Sequence, residues 1–134
     1  MHLTVEAIIG NIVDVTAFVN EQLRNMGCSR RALTQIDVAL DELFSNVCRY
    51  AYPDDIGSVT IHVNELPEQN AVSITLEDAG MPFDPLSRKD PDITLGIHER
   101  GIGGLGIFMV KKTMNDVCYE YRDGLNVLTV TKTL

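Results

Sequence analysis

Long apolar runs are missing from this sequence. The longest, Ile107–Val110, falls far short of the roughly 20 residues that cross a bilayer. No basic stretch followed by an apolar one marks the N-terminus as a secretory signal. Positive charge is also scarce: 11 Lys plus Arg against 19 Asp plus Glu leave a net charge of −8. That balance repels nucleic acid and anionic membranes, whose phosphates supply most non-specific attraction. The 3 cysteines, Cys28, Cys48 and Cys118, are odd in number, far apart and include no Cys-x-x-Cys. Zinc ribbons and redox pairs are therefore disfavoured, and a reducing, cytoplasmic setting is expected. The 134 residues suit one domain spanning 1–134, because two separate cores would each be too small to hold.

What is present is a readable succession of periods. Leu3, Val5 and Ala7 alternate with polar neighbours over His2–Ala7, as in a strand. From Ile8 the spacing lengthens through Ile9, Ile12, Val13, Val15, Ala17, Phe18, Val19 and Leu23 to a stop at Gly27, as in a helix. Ser29 can cap a second helix running to about Ala51, with Pro53 just beyond it. Ile36, Leu40, Leu43, Val47 and Tyr50 form its core stripe. Val59–Val63 and Val72–Leu76 read as two strands joined by a turn at Pro67–Asn70. The stretch 79–100, with 3 prolines and 2 glycines, has no sustained period and reads as a lid, a binding loop or disorder. A helix over Leu105–Met114 comes next, with Met109 and Met114 read as core-facing. Strands at Val117–Tyr121 and Leu125–Thr133 flank the hairpin signal Asp123-Gly124. The order βααββ–loop–αββ predicts an α+β fold. The expected form is a two-layer α/β sandwich whose sheet is mixed, mainly antiparallel, and covered by helices on one face.

Several groups could carry chemistry. Glu42 and Asn46 lie four apart on the second helix, on one face and at the flank of its apolar stripe. A carboxylate beside an amide can hold hydrated Mg²⁺, and the carboxylate can accept a proton; the same pair also occurs on ordinary solvated helix edges. Asp78-Ala79-Gly80 ends a strand with an acceptor that suits a purine amine, yet Asp-x-Gly is also a common turn. Gly101-Ile102-Gly103-Gly104-Leu105-Gly106 spells Gly-x-Gly-x-x-Gly, but the charged segment Asp90–Arg100 before it shows no strand alternation, which argues against dinucleotide binding. Glycine amides entering a helix remain a phosphate cradle, with Arg100 at its edge, or else a plain hinge. There is no Gly-Lys-Ser/Thr, no Gly-x-Ser-x-Gly, and no second histidine after His98-Glu99. His2, His62 and His98 are scattered along the chain, so neither a metal site nor a triad is supported.

In this order the elements resemble the GHKL ATPases, the superfamily that includes gyrase and the sensor histidine kinases. Its N-box resembles Asp41-Glu42-Leu43-Phe44-Ser45-Asn46, its adenine motif Asp78-Ala79-Gly80, and its glycine lid box Arg100–Gly106. Each motif alone is weak; the ordered trio covers nearly the whole chain. The short format and Asp78-Ala79-Gly80-Met81-Pro82-Phe83-Asp84-Pro85 resemble, within it, the bacterial anti-sigma-factor serine kinases.

The resemblance implies an ATP-dependent, cytoplasmic serine/threonine protein kinase with Mg²⁺. Its partners would be a small anti-sigma-factor antagonist, phosphorylated on serine, and a sigma factor or similar regulator, with a homodimer as the expected assembly. It implies that Asn46 coordinates Mg²⁺, Asp78 binds the adenine amine and Gly80 makes room for the base. Gly101, Gly103, Gly104, Leu105 and Gly106 would wrap the phosphates with Arg100 near the γ-phosphate, and Glu42 would be the general base or a water-orienting group. Arg49, one turn beyond Asn46, is read as either a phosphate contact or a surface arginine. By the same analogy Thr129 or Thr131 would lie under the adenine. The competing reading is a nucleotide-gated protein-binding module without phosphotransfer. A sensor-histidine-kinase fragment is disfavoured, because no helix bearing a phosphoacceptor histidine precedes the domain.

Overall fold

The computed structural model describes the backbone of residues 1–87 and 104–134, and side chains over 1–87 and 106–134. The alternating segments pair into one five-stranded sheet built from β1 (His2–Glu6), β2 (Ser58–Leu66), β3 (Ala71–Asp78), β4 (Asp116–Arg122) and β5 (Leu125–Thr133). Its order is β1-β2-β3-β5-β4, and every pairing is antiparallel. β5 thus inserts between β3 and β4, setting Asp78 opposite Asn126.

Helices α1 (Ile12–Asn25), α2 (Arg30–Tyr50) and α3 (Gly104–Thr113) supply the second layer. Period-2 patterning decides which sheet face they cover. Val59, Ile61 and Val63, then Val72, Ile74 and Leu76, then Leu128 and Val130, all point into one core with Leu23, Leu40, Phe44 and Val110. The opposite face carries Thr4 bonded to Thr60 and Thr75 bonded to Thr129, and it remains polar.

Local chemistry fixes the joints. Ser29 Oγ accepts from the Ala32 amide at 3.2 Å and starts α2. Gly27, at φ +74°, turns the chain out of α1 in a left-handed conformation that suits glycine. Asp123 and Gly124, both at positive φ, make the tight β4–β5 hairpin their sequence signalled.

Two expectations need correction. α1 starts at Ile12 rather than Ile8, because Ile9–Asn11 forms a separate 3-10 turn held by Asn11 Nδ2 on the Glu6 carbonyl. Ile8, Ile9 and Val13 accordingly stay exposed. Met114 is buried with Ile107 and Val110, spaced three and four apart, but Met109 lies off that stripe and is exposed.

Candidate functional site

Where β3 and β5 run beneath the C-terminal half of α2, a narrow cleft opens. Leu43, Val47, Leu76 and Leu128 form apolar walls, and Asn46, Asp78, Tyr119 and Asn126 are its polar lining. An apolar pocket with a few convergent polar groups is the usual form of a small-molecule site.

Asp78 sits at the end of β3 and is only 6% exposed. Its Oδ1 accepts from the Gly80 amide and from Asn126 Nδ2, each at 2.9 Å. Burial pushes its carboxyl above the usual range, while those two donors pull it back down. Among the described residues no donor reaches Oδ2. The carboxylate therefore has one oxygen tied down and a second available to an N–H donor.

The turn after Asp78 is clamped by α2 and by the two residues just beyond its end. The Met81 amide donates to the Ala51 carbonyl at 2.9 Å. Tyr52 Oη accepts from the Ala79 amide and donates to the Ser58 carbonyl, at 2.9 and 2.7 Å. Phe83 stacks on Tyr50 at a ring separation of 4.9 Å. A Cβ on Gly80 would strike the backbone and side chain of Ala51. Close approach to the end of α2 therefore requires the glycine.

Glu42 and Asn46 project from the same side of α2, as their spacing requires. Asn46 is 9% exposed and lines the cleft. The Glu42 carboxylate lies against Gly106 in the first turn of α3, where any Cβ would collide with it. The N-box carboxylate and the last lid glycine are thus in direct contact. A buried amide oxygen with a carboxylate one turn away fits Mg²⁺, which takes oxygen ligands and keeps several waters. Among the described residues no group of three or more His, Cys, Asp or Glu gathers into a metal cluster.

The other sequence candidates divide. Gly104 and Leu105 open α3. Arg100, Gly101 and Gly103 lie outside the described residues, as do His98 and the strand test applied to Asp90–Arg100. Arg49 is exposed and does not line the cleft. Thr129 and Thr131 occupy the outward phase of β5, Thr129 bonding Thr75 at 2.9 Å on the open face, so neither lies under the cleft. His2 and His62, far apart in sequence, are cross-strand partners with ring centroids 5.7 Å apart, and His62 contacts Glu77 at 2.8 Å.

Sequence reasoning missed Asn126, Tyr119 and Tyr52. The signal for Asn126 was available: Leu128 and Val130 set the inward phase of β5, and that phase places position 126 inside. Tyr119, in the inward phase of β4, hydrogen-bonds Asn126 Oδ1.

Comparison with known proteins agrees with this geometry. Residues 5–132 match the family model described as a histidine kinase-like ATPase domain. The serine-protein kinase RsbW of Listeria monocytogenes serotype 4a is 29% identical over 110 residues, covering 76% of this chain and 67% of that protein. The serine/threonine-protein kinase BtrW of Bordetella bronchiseptica is 27% identical over 109 residues, covering 81% and 75%. A crystal structure of the RsbU and RsbW domains of Rv1364c from Mycobacterium tuberculosis superposes with a TM-score of 0.67 at 18% identity, over 100% of this chain and 32% of that one, and shows the shared fold. No helix among the described residues is long and apolar enough to cross a membrane. By motif order, sheet topology and the match over 5–132, this chain belongs to the histidine kinase-like ATPase domain family.

Proposed function

We propose that this chain is a cytoplasmic protein serine kinase domain that binds ATP with Mg²⁺ in the α2–β3–β5 cleft. The observation that carries the reading is Asp78, a buried carboxylate with one fixed oxygen and one open oxygen at the floor of an apolar cleft. That acceptor suits the exocyclic amine of adenine and opposes the carbonyl that guanine presents at the same place. Leu43, Val47, Leu76 and Leu128 exclude water from the base.

The phosphates would extend toward the start of α3, whose first-turn amides and helix dipole favour anions. Gly104, Leu105 and Gly106 belong to that turn, and Arg100, Gly101 and Gly103 are assigned to the phosphates by the lid-box resemblance. Arg49, exposed one turn beyond Asn46, is either a further phosphate contact or a surface residue. Asn46 would hold the Mg²⁺, which when bound neutralises charge on the phosphate oxygens.

Glu42 would orient the acceptor hydroxyl and take its proton. The serine oxygen then forms a bond to the γ-phosphorus as the bond to the β,γ-bridging oxygen breaks, and ADP leaves. Such transfer asks the protein chiefly for positioning and charge stabilisation. The kinase names of the RsbW and BtrW relatives support this activity. The acceptor serine is assigned to a small anti-sigma-factor antagonist, and a sigma factor to the second partner, with a homodimer as the working assembly; the Asp78–Pro85 resemblance supports these finer assignments.

A transfer assay tests the reading. Purified protein, Mg²⁺ and γ-labelled ATP are added to a native lysate of the source organism, in parallel with Glu42→Ala. The expected result is one small protein labelled on serine by the wild type, with labelling reduced ~10²–10⁴-fold by the variant, the usual contribution of a general base. ATP binding without any labelled protein would instead favour the nucleotide-gated binding module.

A further inference from the structure

Among the described residues, Asn126 carries more of the cleft's hydrogen bonding than any motif residue. A side-chain amide offers two N–H donors and two oxygen lone pairs. Nδ2 donates to Asp78 Oδ1 and to the Met81 carbonyl, both at 2.9 Å. Oδ1 accepts from the Phe83 amide at 3.2 Å and from the Tyr119 hydroxyl. All of its capacity is used within the protein, and the residue is 5% exposed.

We propose that Asn126 is the positioning residue for purine recognition, fixing the Asp78 carboxylate and the Met81–Phe83 turn as one unit while making no hydrogen bond to the nucleotide itself. The proposal rests on the ATP reading of the cleft. Three consequences of the geometry support it. First, Asp78 Oδ1 is occupied by Gly80 and Asn126 together, which sets the plane of the carboxylate and leaves Oδ2 as the acceptor facing a ligand. Second, the same amide holds Met81 and Phe83, so the wall that stacks on Tyr50 is registered to the carboxylate rather than free to drift from it. Third, Tyr119 closes the last acceptor position from β4, so the amide has no competing orientation that satisfies its partners. A buried amide that lost one of these partners would leave others unsatisfied, and the arrangement is therefore held as a whole.

A residue acting through Asp78 has a signature that general destabilisation lacks. Its removal should weaken binding only of ligands that use the carboxylate. The experiment measures dissociation constants for ATP and for inosine triphosphate, which lacks the 6-amino group, by titration calorimetry with Mg²⁺. The proteins are the wild type, Asn126→Leu, Asp78→Asn and the double variant, with thermal melting recorded for each.

The expected result is an ATP-over-ITP preference in the wild type that falls about tenfold in Asn126→Leu, with ITP affinity nearly unchanged. The double variant should lose little beyond Asp78→Asn, since residues acting through one contact are not additive. If Asn126→Leu does not fold, Asn126→Asp keeps the shape, removes the donor to Asp78, and should show the same loss of preference. An unchanged ATP-over-ITP ratio in a folded variant overturns the proposal, as does equal loss of both nucleotides. A folded wild type that binds neither nucleotide overturns the ATP reading of the cleft, and the proposal with it.

Discussion

Asp78, Asn126 and Tyr119 are knitted together by hydrogen bonds that cross three strands, whereas at the other end Asn46 lines the cleft with Glu42 one turn before it on the same helix, both placed by packing. At the first end the sheet supplies backbone ladders on which side chains can be locked. At the second, α2 is seated by Leu40, Leu43 and Phe44 in the core, and its polar edge faces α3 across the Glu42–Gly106 contact. A rigid end suits discrimination between bases. A helix edge bearing on another helix suits groups that must meet phosphates and an incoming hydroxyl.

Substitutions at the two ends should therefore fail in different ways. Asn46→Ala is expected to lower Mg²⁺-dependent ATP affinity by about 100-fold, the upper range for loss of a group that orders a metal site. Calorimetry with and without Mg²⁺ checks it, and normal Mg²⁺-dependent binding would remove the metal assignment. Asp78→Asn should cost about 30-fold in ATP affinity, ~2 kcal/mol at 1.4 kcal/mol per tenfold. The ATP-over-GTP preference should disappear with it, and competition between the two nucleotides reads this directly.

Gly106→Ala probes the helix end alone. The new Cβ pushes on the far end of the Glu42 side chain, which can swing away, so melting should barely change. Transfer should nevertheless drop about tenfold while ATP affinity holds, because small misplacements of a catalytic group are costly in rate. A variant as active as the wild type would break the link between Glu42 and the start of α3.

The smallest expected effect is a pH dependence. Burial raises the Asp78 carboxyl above the ordinary aspartate range, and the protonated form has lost the acceptor. ATP affinity should thus be full above that raised pKa and fall as pH drops through it. The fall begins at a higher pH than an unperturbed aspartate would give. In Asp78→Asn this acid limb should vanish, and a profile identical to the wild type would assign it to another group.

The contrast between the two ends also bears on what a sequence makes legible. Helix and strand order came from local signals: the cap at Ser29, the left-handed Gly27, and the alternation of Val59–Val63 and Val72–Leu76. Glu42 and Asn46 share a side because helix geometry needs only their spacing. The inward phase of Asn126 was legible in the same way, but its partner was hidden by the opposite circumstance. Asn126 reaches Asp78 only because β5 enters the sheet between β3 and β4, a pairing that no local signal announces. Thr129 and Thr131 fell to the open face for a reason the chain did carry. Strand period is two, so Leu128 and Val130 inside put both threonines outside. The contact of Gly80 with Ala51 joins two turns far apart in the chain, and no local signal announces it either.

The insertion of β5 also bears on how the site comes into being. Every motif that announces the function lies at or before Gly106, yet the partner of Asp78 arrives with a strand that starts at Leu125. Contacts between residues so far apart carry the entropic cost of closing a long loop. A chain shortened before Leu125 would keep the whole of α1 and α2 and still have no finished cleft. Conversely, a ligand bound there stabilises the folded state in which β5 is in place. Amide exchange along Leu125–Thr133 should slow more on nucleotide binding than exchange in β1, at the far edge of the sheet.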